Sequence, residues 1–258
     1  MKRTLAGRTI LVTRPAEQAA PLVRELERRG ARVLVAPTIR LTPARSAALT
    51  AALKELAAGR FEWITLTSAA TVDVLRKRLE SPRDVKAKVA AIGEGTAAAF
   101  RRWSRRTPDL QPTTFTTASL ARAFPRGSGR VLCARADIAP EGLEAALERK
   151  GWEAVRVDAY RTILATSLPP ESRDAFRRGD IDAVTFTSAS TVRGFANARG
   201  GEAIRRPRSG PPKVVCIGPV TAAAARAAGL RPAAVARPHT LDGLVEALER
   251  ALPSSGEL

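Results

Sequence analysis

The segment ITLTSAATV, at 64–72, returns as VTFTSASTV at 184–192. A chain that carries one strand-and-helix phrase twice is constrained to build two similar units. Each copy is an apolar run of β-formers ending in a Thr-Ser pair able to cap the helix that follows. Free backbone N–H groups at such a helix start attract anions, so Ser68 and Ser188 mark places for a negatively charged ligand. The echo extends further. The stretch from Thr9 is answered from Arg130, with Arg14 matching Arg135 and Gly30 matching Gly151, and VAAIGEGTAAAF from Val89 is answered by VVCIGPVTAAAA from Val214. The offsets of 120 to 125 residues describe one duplicated unit with a small insertion.

At 258 residues, each copy is long enough for its own core. The charge is lopsided, with 43 Lys and Arg against 25 Asp and Glu, a formal +18. Such a field draws polyanions, whether nucleic acid or a small molecule with many carboxylates, although an Arg-rich surface also serves solubility alone. Glu interleaved with Arg and Lys in ELERR and LERK neutralises part of that charge, which counts against a dedicated nucleic-acid stripe. Cys133 and Cys216 each lie in an apolar strand-like run and read as buried hydrophobes of a reducing compartment. The basic start MKR leads into polar residues, not into an apolar signal segment, and no run is long enough to cross a bilayer. A cytoplasmic protein that binds no membrane is expected.

The chain alternates strands and helices. TILVT at 9–13 is a strand, and Ala19, Leu22, Val23 and Leu26 stripe a helix ended by Gly30. Leu49, Leu53 and Leu56 stripe a second helix before strand 61–67, and a third helix carries Val72, Leu75 and Leu79. VAAI leads to Gly93 and a helix from GEGTAAAF; the basic stretch Arg101 to Pro112 reads as an exposed loop with a short strand. FTTASLARAF is a further helix. The second copy runs through strand 130–134, a helix from about Glu141 to Lys150, and strand 153–158; it continues with strands ending at Ser188 and Gly218 and a helix from about Leu241 to Ala251. Two crossings, a Pro-punctuated one at 37–43 and its counterpart at about 160–166, hold equivalent places and are expected to lie side by side. A flexible basic loop is expected from Ala198 to the prolines at 211 and 212.

Strands alternating with helices imply parallel sheets in an α/β fold with two similar, flavodoxin-like domains, and ligands in such sheets bind beyond the carboxyl ends of the strands. Those ends are Thr13-Arg14, Ser68, Gly93, Arg135, Ser188 and Gly218, expected to line one cleft. The inventory excludes much chemistry. A single histidine, His239, reads as a solvated loop residue, so neither a metal cluster nor a Ser-His-Asp arrangement assembles from the usual parts. GEGTAA fits a dinucleotide pattern only weakly, since its twin GPVTAA lacks the second glycine and Thr113 stands where an acid belongs. Hydroxyls, backbone amides and arginines remain, with Tyr160, the only tyrosine. Its phenol, protonated at neutral pH, is suited to donate a proton or simply to pack at a strand end. Thr96 and Thr221 read equally as site hydroxyls or ordinary first-turn residues, and Arg14 and Arg135 as carboxylate forks or surface charges.

ILVTRP with Gln18, the two TS turns, IGEGTA, IGPVTA, the strand end at Arg135 and DAYRT, in this order and doubled, resemble the uroporphyrinogen-III synthase family. The resemblance implies two α/β domains joined by a two-stranded ladder, residues 1–38 with 164–258 and residues 39–163. It implies cofactor-free, dehydrative cyclisation of hydroxymethylbilane, a linear tetrapyrrole with eight carboxylates, to uroporphyrinogen III with the last ring inverted. Tyr160 would then assist departure of the hydroxyl, with Thr13, Arg14, Ser68, Gly93, Thr96, Arg135, Ser188, Gly218 and Thr221 at the substrate, in a monomer that binds neither metal nor nucleic acid. The chain departs from the family pattern at Ala70, where Asn is common, and at Ala136 and Pro140, where glycine and a basic residue are usual. These departures leave a second reading, a non-catalytic anion- or tetrapyrrole-binding regulatory paralogue. A third, direct nucleic-acid binding through basic loops around Arg101 and Arg205, predicts steep salt dependence.

Overall fold

The computed structural model describes residues 4–199 and 211–252. The chain divides into two compact units, the first Met1–Arg40 with Ile163–Leu258 and the second Leu41–Thr162. The first unit opens with β1 (Thr9–Val12), α1 (Ala16–Arg28) and β2 (Arg32–Val35). The chain then passes through β3 (Ile39–Pro43), α2 (Ala47–Ala57), β4 (Trp63–Leu66), α3 (Ala69–Arg78), β5 (Lys88–Ala91), α4 (Glu94–Ser104) and α5 (Thr117–Ala123). β6 (Arg130–Ala136), α6 (Leu143–Glu148) and β7 (Glu153–Leu164) follow. It returns to the first unit with α7 (Pro170–Arg178), β8 (Ala183–Phe186), α8 (Ala189–Arg199), β9 (Lys213–Cys216), α9 (Pro219–Ala227), β10 (Pro232–Val235) and α10 (Leu241–Ala251).

The first sheet runs β10-β9-β8-β1-β2, with every neighbouring pair parallel. The second runs β3-β7-β6-β4-β5 and is parallel from β7 to β5, with a bridge from Ala90 to Leu110 beyond β5. β3 is antiparallel to its neighbour β7: Ala44 N–H donates to Ala159 O and Ala165 N–H to Thr38 O, so numbers rise on one strand as they fall on the other. The repeated phrases sit at equivalent places, β8 beside β1 and β4 beside β6. In each sheet the chain winds outward in opposite directions from that pair, which makes β1/β8 and β6/β4 the switch points, the places in such sheets beyond whose strand ends ligands bind.

Each sheet is covered on both faces, and consecutive residues divide between the two. On β1, Ile10 and Val12 join one core and Leu11 the other. On β6, Leu132 and Ala134 face the core that holds Phe100 and Tyr160, whereas Val131 and Cys133 face the one that holds Phe124 and Trp152. The α/β reading with parallel sheets therefore holds. Cys133 and Cys216 are free and fully buried, and burial pushes their thiols up to about 12 and about 11. Among the described residues no helix is long and apolar enough to cross a membrane.

Several boundaries differ from expectation. The loop expected from Arg101 begins only at Arg105, a left-handed residue (φ 60°), because α4 continues to Ser104. Phe100 is buried and Trp103 packs edge-on to it, while Arg101 pairs with Glu94, so the charged positions are one face of a helix that is anchored by its aromatics. α6 starts at Leu143, two residues later than expected, after Gly142 (φ 106°). α7 and β10 carried no strong sequence pattern: α7 buries only Ser172 and Ala175, and β10 is a four-residue edge strand. Ala198 and Arg199 end α8, and the rest of the expected basic loop through Arg205 lies outside the described residues up to Pro211.

Candidate functional site

In the second unit the switch point is built by β4, β6 and β7. β4 ends at Leu66, and Ser68 takes the N-cap of α3, its Oγ accepting the Thr71 N–H at 3.2 Å. Thr71 in turn donates its hydroxyl to Ala134 O at 3.2 Å, which ties the helix start to β6. Alternation along β7 would send Tyr160 to the opposite face from Ala159. The β6–β7 register slips here: Arg135 lies opposite Asp158, but Ala136 lies opposite Tyr160, leaving Ala159 as an extra residue. Such a bulge re-aims the side chains that follow it. Ala159 and Tyr160 are consequently both buried in the same core, and the Tyr160 hydroxyl reaches Ser68 Oγ at 2.9 Å.

The phenol at this point is a poor base and a usable acid. Burial raises its pKa above the ordinary 10.0; the Ser68 hydrogen bond opposes that, Asp137 adds to it and Arg135 opposes it. The neutral form therefore persists throughout the neutral range. Arg135 is 1% exposed and turned inward, with Nη1 donating to both carboxylate oxygens of Glu144 at 2.9 and 3.0 Å and Nε without a hydrogen-bond partner. The sequence left Arg135 open between a substrate fork and a surface charge; the structure gives it an internal carboxylate. Glu144 escaped the sequence reading because nothing but its place in the first turn of α6, nine residues after Arg135, marked it.

The first unit offers a related but different set. Thr13, at the end of β1, is fully buried and spends its hydroxyl on Thr185 O at 2.7 Å. Ser188 accepts the Thr191 N–H at 3.1 Å and lies 2.9 Å from Ser190 Oγ. Where Tyr160 stands in the second unit, the repeat places Ile39, so no phenol accompanies Ser188. Arg14 reaches Gln18 Oε1 only at 3.5 Å, its Nε is buried without a partner, and burial lowers its pKa.

Gly93 and Gly218 occupy the N-caps of α4 and α9 in extended backbone, φ −169° for both. A Cβ at Gly93 would come within 2.9 Å of Phe115 Cγ, whereas one at Gly218 would meet His239 at 3.6 Å, an ordinary contact. Packing thus demands glycine only at the first. Thr96 and Thr221 follow on these helices, nearly buried, and neither hydroxyl has a hydrogen-bond partner among the described residues. His239, expected in solvent, is half-buried, with Nδ1 2.7 Å from Ala236 O.

Residues 20–246 match the family model for uroporphyrinogen-III synthase HemD. The chain belongs to the uroporphyrinogen-III synthase family. The uroporphyrinogen-III synthase of Synechococcus elongatus is 30% identical over 96% of this chain and 97% of its own length. A putative uroporphyrinogen-III synthase of Methanothermobacter thermautotrophicus is 33% identical over 81% of this chain and 85% of its own. In fold, the chain is similar to a mutant uroporphyrinogen III synthase from Thermus thermophilus, with TM-score 0.66 and 23% identity over 95% of this chain and 98% of that one. The segment matched to the uroporphyrinogen-III synthase family contains every candidate site residue except Thr13 and Arg14.

Proposed function

We propose that the protein is a uroporphyrinogen-III synthase that closes hydroxymethylbilane to uroporphyrinogen III, with Tyr160 as proton donor to the departing hydroxyl. Family membership supports the reaction class. The observation that carries the assignment of the acid is the Tyr160 hydroxyl, held 2.9 Å from Ser68 Oγ at the switch point of the second unit. The reaction is a loss of water and a rearrangement of carbon-carbon bonds, with no net change in oxidation state. The terminal hydroxyl leaves as water, and the azafulvene formed is attacked by the substituted carbon of the last pyrrole ring. The spiro intermediate breaks one bond and remakes it at the other side of that ring, and a proton is lost as the macrocycle regains aromatic pyrroles. A neutral buried phenol suits the first step, since it delivers a proton where charge develops without competing as a base.

Positioning supplies the rest. A flexible eight-carboxylate substrate closes correctly only if its side groups are fixed; the second unit offers donors for that at the helix starts Ser68 and Gly93 and the Thr96 hydroxyl, and the first unit separately offers them at Ser188, Gly218 and the Thr221 hydroxyl, both threonine hydroxyls being without a partner among the described residues. The net charge of +18 draws such a polyanion to the protein. With hydroxymethylbilane as sole substrate, macrocycle is expected to form well ahead of spontaneous closure. Equal rates with and without protein would remove the reading.

A further inference from the structure

We propose that Asp137 is the positioning residue for Tyr160, clamping the bulged end of β7 at the Tyr160 carbonyl and at Thr162 just beyond it. The inference rests on the reading of Tyr160 as proton donor. A bulge leaves ladder groups without their regular partners and lets the strand bend, so a side chain that follows one needs another source of rigidity. Asp137, the first residue after β6, supplies it. Its N–H donates to Tyr160 O at 3.1 Å, and its Oδ1 accepts the Thr162 N–H at 3.0 Å. The same oxygen accepts the Ile138 N–H at 2.9 Å, which fixes the carboxylate on its own loop. Arg156, from within β7, holds that loop down through Asp137 O and Ala139 O, each at 3.5 Å.

Bonds from N–H groups to an ionised carboxylate are stronger than neutral ones, so the acid is well chosen for a backbone clamp. Between them, Asp137 fixes the main chain from 160 to 162, and Ser68 fixes the phenol oxygen. The charge has a second effect. The charged groups acting on the phenol are Asp137, which raises its pKa, and Arg135 from β6, which lowers it. Asp137 thus helps keep the donor protonated while it holds it in place.

Tyr160 is the only tyrosine of the chain, so the alkaline tyrosinate absorption band reads this residue alone. Asp137→Asn keeps both the N–H and the acceptor oxygen but removes the charge; Asp137→Ala removes the acceptor as well. The tyrosinate midpoint is expected to be highest in the wild type, lower in Asp137→Asn, and lowest in Asp137→Ala, where the loosened phenol also gains water. Turnover at saturating hydroxymethylbilane is expected to fall by roughly 10-fold or more in Asp137→Ala, with KM within about 3-fold of wild type, and to stay within about 3-fold in Asp137→Asn. Far-ultraviolet circular dichroism at each pH confirms that folded protein is being titrated. Coincident midpoints for the two variants, or an Asn variant as slow as the Ala variant, would overturn the clamp. Unchanged turnover in Tyr160→Phe would instead overturn the donor reading, and the order of the midpoints would then decide the clamp by itself.

Discussion

Tyr160→Phe is expected to lower turnover by roughly 100-fold while leaving the fold intact, the scale at which a positioned general acid contributes. The ring stays in its core, and only the oxygen is lost. Ser68 keeps its cap bond to the Thr71 N–H at 3.2 Å, so α3 retains its start. The pH dependence follows from the sign of the shift. Burial raises the folded-state pKa above 10.0, so the protonated donor is present throughout the neutral range and is lost only as pH climbs through that raised value. The same group favours folding fully below its unfolded value, and that contribution fades on the alkaline side. In wild-type protein the alkaline limb of turnover should therefore lie above pH 10, and in the phenylalanine variant it should disappear with the bulk of the activity. A variant that retains wild-type turnover at neutral pH would take Tyr160 out of the reaction.

Gly194→Ala is expected to destabilise the protein by about 3 kcal/mol, the upper range for overpacking a tight site, and to lower the melting temperature by roughly 6 to 12 °C. Gly194 lies on α8, where an added Cβ would sit 2.8 Å from the Thr38 carbonyl carbon and closer still to its oxygen. Backbone cannot swing aside as a side chain could. Thr38 is fixed by several bonds: its hydroxyl reaches Thr191 O at 2.8 Å and Thr13 O at 3.2 Å, and its carbonyl accepts the Ala165 N–H at 2.9 Å. Relief at one would break the others, which together hold the end of β1 to the start of α8. Gly95→Ala is the control, since nothing lies within 4 Å of its added Cβ. There the only change is the helix preference for alanine, a gain of at most about 1 kcal/mol, and thermal melts of both variants separate the effects.

The doubled TS phrase placed β4 and β8, and the strand-end rule picked out Thr13, Ser68, Arg135 and Ser188 at the two switch points and Gly93 and Gly218 at the adjoining strands β5 and β9, because hydrophobic period and capping chemistry are local. What depends on pairing between distant segments was not legible. Tyr160 and Ser68 are 92 residues apart, and their contact follows from a one-residue slip between β6 and β7 that no periodicity announces. Arg135 reads as a strand-end cation, but its pairing requires knowing that the loop after β6 folds back to deliver Glu144. The charged stretch after Phe100 reads as loop in sequence because one face of a helix and a loop have the same composition over four residues. Such errors leave the strand ends untouched, and the proposed site draws on the strand ends.

The isomer of the macrocycle is the most direct readout. Hydroxymethylbilane left alone closes to the symmetrical product, whereas a site that fixes its side groups and protonates its hydroxyl sends closure through the spiro intermediate. Chromatography of the oxidised product of the wild-type reaction is expected to yield predominantly the type III isomer with ring D inverted. A product mixture indistinguishable from the spontaneous, symmetrical one would contradict the assignment.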